Sequence, residues 1–199
     1  MLYRLIIRIT AILFLFGFSG NGFALNQPAK KYDVQILIFS HLTANTLQTE
    51  KWPALSPSVL AEFNHPAQPT QLSQKAWQLQ REKNALQKNP HYSVLFDGSF
   101  QCAWQDNTSI VTLPISTGSE LNGTISIELD HYFNVHAHLL LTEPTTLLEK
   151  IDATHYFEQW NQPTFHFQFF ENRRMRSDEL NYLGHPLMGV LIKIISVKN

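Results

Sequence analysis

Residues 124–141 constrain the fold more than any other stretch. Ile125, Ile127 and Leu129 alternate with Thr124, Ser126, Glu128 and Asp130. Phe133, Val135, Ala137, Leu139 and Leu141 alternate in the same way with Asn134, His136 and His138. A period of two belongs to a strand with one face on a core. Collecting the apolar residues of both runs on one face sets Leu129 opposite Phe133 and Ile127 opposite Val135. That register leaves Asp130, His131 and Tyr132 as the connection, and a one-residue slip would turn the core face to water.

Other runs extend this pattern. Residues 32–39, with Val34, Ile36 and Ile38 on one side and Leu37 and Phe39 on the other, predict a strand apolar on both faces and hence central in its sheet. Tyr92–Phe96 and Phe100–Gln105 read as strand around a bulge or turn at Asp97-Gly98, and Ile110–Ile115 pairs briefly. Thr164–Phe170 and Gly189–Val197 complete the set. Between 41 and 71, four prolines and no sustained period predict a long loop with at most one helical turn near Ser58–Phe63. Gln71–Asn89 reads as an amphipathic helix, with Leu72, Ala76, Leu79 and Leu86 along one stripe and Pro90 at its end. Thr146 and Glu149 have the spacing of a capping box before a short helix. The sum is an α+β fold, a mainly antiparallel sheet of about six strands with one long amphipathic helix.

The N-terminal 24 residues have the layout of a cleavable signal peptide. Arg4 and Arg8 precede an apolar core over Ile9–Phe18, and Gly22-Phe23-Ala24 supplies small residues at the cleavage site. Residues 25–31 then read as a mobile linker and 32–199 as one domain. Losing the two arginines leaves 13 Lys and Arg against 16 Asp and Glu. That balance excludes a sequence-independent nucleic-acid binder, which needs a cationic surplus. One cysteine, Cys102, cannot close an internal disulfide, so stability rests on the core, and burial is the expected state of the thiol.

The sequence holds no nucleophile elbow, zinc-protease helix, phosphate-binding loop or dinucleotide fingerprint. No catalytic residue and no cofactor is expected. His136 and His138 share a strand face with Ser126 and Glu128, a geometry that metal sites use. A third ligand at diagnostic spacing is missing, and a water-facing polar strand explains the same alternation, so no metal is expected.

The densest charge lies in residues 169–194, between two apolar strands. Arg174 and Arg176 share a face in extended chain, and their planar guanidinium groups suit bidentate binding of carboxylates. Two readings are open for them: pairing with Asp178 and Glu179 within the same corner, or contact with a ligand or partner.

This stretch resembles a known signature. The run Arg173, Arg174, Met175, Arg176, Ser177, Asp178, Glu179, Leu180, Tyr182, His185, Pro186 and Gly189–Ile192 is similar to that of the CsiV family. Those are periplasmic peptidoglycan-binding proteins of Gram-negative bacteria, connected with cell-shape integrity. The strand at Tyr32–Phe39, the residues Leu121–Ile125 and Leu139–Leu141, and the pair Trp104-Gln105 resemble the family in the same order. Two positions depart from it: Asn181 stands where the family usually has His, and Gly184 where it has Asp.

The resemblance implies a non-enzymatic periplasmic protein that binds peptidoglycan and supports wall synthesis and cell shape. The alternative is an interaction module that docks to a penicillin-binding peptidoglycan synthase, or to its outer-membrane lipoprotein activator, without touching glycan. Stem-peptide carboxylates suit arginine forks and sugar faces suit aromatic rings. The expected contacts are therefore Arg173, Arg174, Arg176, Tyr182 and His185, with Trp104 and Trp160 as stacking candidates. Gly184, Pro186 and Gly189 are expected to shape the corner.

Overall fold

The structure, a computed structural model, describes residues 29–63, 77–105 and 109–197. The residues read as an export signal lie outside that set. Eight strands form two four-stranded antiparallel sheets. The first sheet has the order β2 (Ser93–Trp104), β1 (Lys30–Ser40), β8 (Met188–Ser196), β7 (Leu180–Gly184). The second has the order β3 (Ile110–Ser116), β4 (Leu121–Leu129), β5 (Phe133–Pro144), β6 (Thr164–Met175). β2 adjoins β3, and β6 adjoins β7. Chain order is therefore spatial order all the way round, and β1 closes the circuit on β8.

The hairpin forms in the expected register, with Leu129 opposite Phe133 and Ile127 opposite Val135. Its apolar face meets that of β1 and β8, so Val34, Ile36, Ile192, Ile127 and Val135 share one core and are all fully buried. β1 is central, paired with β2 on one side and β8 on the other. It begins at Lys30, so Lys30 and Lys31 belong to the strand rather than to the linker.

The sheet is split in two because each inner face needs a second layer. A single sheet of eight strands with all these apolar positions on one side would leave that side in water. The strand count of about six falls short by two because β3 is a full strand and β7 is hidden within the charged stretch. β2 is also continuous through Asp97-Gly98. The register shift lies earlier, where Ile38 faces Phe96 but Phe39 faces Val94, which makes Leu95 the extra residue.

The helices are short. In the 41–63 segment, Thr43 caps α1 (Ala44–Leu47) and Ser56 caps α2 (Pro57–Ala61). The long helix expected at Gln71–Asn89 is not seen: α3 covers Gln80–Gln87, and Trp77–Leu79 are not helical. Positions 71–76 lie outside the described residues. The reason is local competition, since the Gln78 amide donates to Oε1 of buried Gln35 at 2.8 Å rather than to a helical carbonyl. That contact seats buried Leu79 on the outer face of the first sheet.

The capping box at Thr146 and Glu149 does not form either. α4 (Thr145–Ile151) starts two residues too early, with Pro144 as its cap, and the Thr145 amide donates to the Pro163 carbonyl at 3.0 Å. A 3-10 turn, Phe157–Gln159, then leads into β6.

Buried acid and base groups give the fold two opposing pH responses. Burial, with Glu120 nearby, pushes the Glu143 carboxyl from 4.5 up to about 7. Burial, with His41 nearby, pushes the His185 imidazole from 6.5 down to about 4. The folded state therefore holds the extra Glu143 proton between 4.5 and 7, and stability from this group is lost as pH rises through that window. The unfolded state holds the extra His185 proton between 4 and 6.5, so stability from that group is lost as pH falls. Taken well below the full shift, each effect is on the order of 1–2 kcal/mol. Urea denaturation between pH 4.5 and 6.5 should find Glu143→Gln gaining stability with pH, His185→Gln losing it, and the unsubstituted protein nearly level. The same slope in all three would contradict this account.

Candidate functional site

The arginine row divides by strand geometry. In β6, Phe165, Phe167, Phe169 and Met175 point into the core, so Arg174 points outward beside Asn134 of β5. Arg176 follows just past the strand, on the same side. The three-residue β4–β5 turn, closed by the Asp130 amide on the Tyr132 carbonyl at 3.0 Å, brings Tyr132 to this face. The Arg174 guanidinium carbon lies 3.8 Å from the Tyr132 ring centroid, and that of Arg176 lies 5.6 Å from it. A hydrogen bond from Arg176, helped by both positive charges, holds the Tyr132 hydroxyl below its usual pKa.

Of the two readings of the arginines, pairing within the corner is not seen among the described residues. Among the described residues, the ion pairs are Lys83–Asp97, His131–Asp130 and His155–Glu158, and none involves Arg173, Arg174 or Arg176. Asp178 adopts a left-handed conformation, φ 64°, with its amide donating to the Ile194 carbonyl at 2.7 Å. That turn docks the 176–179 segment on β8. Glu179 acts on Arg176 only as a nearby charge.

Arg176 lines an open cleft of about 460 Å³, walled also by Lys30, Tyr32, Asp130, Tyr132 and Glu179. A second recess of about 310 Å³ continues from it past Arg174 and Asn181. Stacking on a ring occupies the face of a guanidinium and leaves its in-plane N–H donors free for a carboxylate. The local charge is mixed, with Lys30, Arg174 and Arg176 set among Asp130 and Glu179.

Arg173 is elsewhere. It sits opposite Val135 on the core-facing side of β6, where the edge of the sandwich opens and leaves both it and Glu171 exposed. Charges turned inward on an edge strand block pairing with another chain's edge.

The remaining predicted residues fall into three settings. Tyr182 is half-exposed on the outer face of β7. His185 lies against Trp52 and Phe169, with ring centroids 5.6 and 5.8 Å away, and its Nδ1 accepts the Leu187 amide at 3.2 Å. With its own amide bonded to the Met188 carbonyl, His185 serves the turn between β7 and β8. Trp104 is 2% exposed and donates from Nε1 to the Ile127 carbonyl, which places it in the core, out of reach of a sugar. Trp160 packs half-buried against Tyr156 and Phe165. Gly184 pairs with Gly189 across the β7–β8 hairpin, with Pro186 in its turn.

His136 and His138 are bound within the sheet, to Asn172 at 2.6 Å and to Gln168 at 2.9 Å. Among the described residues no cluster of three or more His, Cys, Asp or Glu side chains is placed to hold a metal ion. Cys102 is buried, and burial, with Asp33 nearby, raises its thiol to about 12.

The CsiV family, described as a peptidoglycan-binding protein family, matches residues 59–197, more than half of the chain. The chain belongs to the CsiV family. Comparison with curated proteins and with solved structures finds no match. The match to the CsiV family takes in the β4–β5 turn, both stacked arginines and the β6–β7 corner, so all but the β1 side of the cleft lies within it. No helix among the described residues of this CsiV-family chain is long and apolar enough to cross a membrane.

Sequence reasoning missed Tyr132 and Lys30. Tyr132 appeared only as a turn residue, although its neighbour Phe133 turns inward and so forces the tyrosine out. Trp104 had a legible signal that was passed over: Phe100, Cys102 and Trp104 alternate with Gln101, Ala103 and Gln105, which assigns the tryptophan to the core face.

Proposed function

We propose that this chain is a non-enzymatic, exported protein of the periplasm that binds peptidoglycan and supports wall synthesis and cell shape. Its contact with the polymer is the cleft of Tyr132, Arg174, Arg176 and Lys30. The observation that carries the reading is the stacked pair itself: two guanidinium groups held over one tyrosine, with no carboxylate of the described residues paired to them. Peptidoglycan stem peptides are rich in carboxylates, which the planar guanidinium fork binds with two parallel hydrogen bonds. The family description supplies the polymer.

Co-sedimentation with purified sacculi tests this. The protein is expected in the pellet at low salt, with retention falling as salt screens the arginines. Absence from the pellet, together with crosslinking to a wall synthase or its lipoprotein activator, would favour the docking alternative. Release of soluble muropeptides during the incubation would contradict the non-enzymatic reading.

A further inference from the structure

A second surface differs from the cleft in its chemistry. On the outer face of the first sheet, the Tyr182 ring lies across the bare backbone of the Gly184–Gly189 pair. A Cβ on Gly184 would come within 2.9 Å of Tyr182 Cε1, and one on Gly189 within 2.6 Å of Tyr182 Cε2 and 2.6 Å of Phe39 Cζ. The two glycines thus make the seat for the ring. Buried Phe39 lies beside it, nearly parallel at 15° with centroids 6.4 Å apart. Tyr92 meets the far side of Phe39 edge-on at 5.5 Å. Tyr182 and Tyr92 remain 47% and 37% exposed.

One face of Tyr182 is therefore covered by backbone and the other is open to water. A ring already held flat loses little freedom when a second flat surface stacks on it. The ring cluster is made of aromatic side chains, with His41 at 6.1 Å from Phe39 and 5.8 Å from Tyr92, and burial lowers the His41 pKa. Such a surface suits the uncharged component of a polymer. A pyranose offers C–H groups to the ring face and hydroxyls to the two tyrosine hydroxyls.

We propose that Tyr182 and Tyr92, on either side of Phe39, form a stacking shelf for the amino-sugar strand of peptidoglycan, while the arginine cleft takes its peptides. The inference rests on the peptidoglycan reading and assigns the two chemistries of that polymer to two places. They adjoin along the chain: Glu179 of the cleft wall, just before β7, precedes Tyr182 by three residues, ~10 Å of extended chain, within reach of one sugar pair and its attached peptide.

The test uses glycan strands freed of their peptides by an amidase, with the lactyl carboxylates so exposed capped as methyl amides to keep the strands uncharged, alongside intact sacculi. The unsubstituted protein binds both. The double variant Tyr92→Leu, Tyr182→Leu weakens binding to peptide-free strands by about tenfold or more, the scale of an aromatic contact, while Tyr182→Phe stays within about threefold. Arg174→Ala with Arg176→Ala leaves binding to peptide-free strands unchanged and weakens retention on sacculi. Far-UV circular dichroism and thermal midpoints establish that each variant is folded, and Gly189→Ala, which lifts the ring without removing it, reports on the shelf if the leucine variants unfold. Retention on sacculi with no binding to peptide-free strands overturns the shelf and leaves the peptidoglycan reading standing. Failure to bind either overturns both, and equal binding by the leucine and unsubstituted proteins overturns the shelf.

Discussion

Gly123→Ala is expected to cost roughly 3–5 kcal/mol, enough to unfold a domain of ordinary stability. Gly123 sits within β4 at φ 142°, opposite Leu139. A Cβ there would come 2.2 Å from the His138 carbonyl oxygen and 2.8 Å from the Leu139 Cα. Both are backbone atoms of the neighbouring strand, so no rotamer change relieves the clash, and the unusual φ adds strain for any side chain. The hairpin would have to open or shift, and a shift of one residue exposes its core face.

Two other glycines serve as controls. Gly98 would meet the flexible Phe96 ring, which can turn away, and Gly118, at φ 85°, has open space around it. Alanine at Gly118 should cost only ~1 kcal/mol. Urea denaturation of the three variants checks the order, and a Gly123→Ala protein as stable as Gly118→Ala would refute the packing described for the hairpin.

The second large effect is on binding. Arg174→Ala with Arg176→Ala should weaken retention on sacculi by about 10–100-fold, since it removes two charge-assisted contacts at once. Both side chains are exposed, so the fold should be intact. Arg173→Ala should change retention by less than about threefold, because Arg173 points to the opposite side of β6 and supplies only general charge. Tyr132→Leu belongs with the double variant: it removes the ring on which both guanidinium groups rest.

The sequence was most legible where a period of two ran long. The hairpin register, the central place of β1 and the common face of Arg174 and Arg176 all follow from alternation alone. β7 was hidden because it has five residues, of which Leu180 and Tyr182 point outward and Leu183 inward, too short a run to establish a period beside so many charges. The long helix was overstated because an amphipathic pattern carries no record of Gln35, 43 positions upstream of Gln78, whose side chain captures an amide that helix extension would need.

The site was half legible. Which arginines act together is a local property. Their partner Tyr132 is 42 positions from Arg174 and meets it only because β5 and β6 pair with Asn134 opposite Arg174. The salt bridges to Asp178 and Glu179 failed for a backbone reason: the left-handed turn at Asp178 ties its amide to Ile194. No composition argument contains that turn.

We propose that the stacked arginine pair, not the arginine row as a whole, holds peptidoglycan. The most direct measurement is the fraction of protein retained on purified sacculi for the unsubstituted chain, Arg173→Ala, and the Arg174→Ala, Arg176→Ala double variant, side by side at one low salt concentration. Strong retention is expected for the first two, and for the third a ratio of pelleted to free protein lowered by about tenfold or more. Equal retention of the double variant, or loss confined to Arg173→Ala, would contradict it.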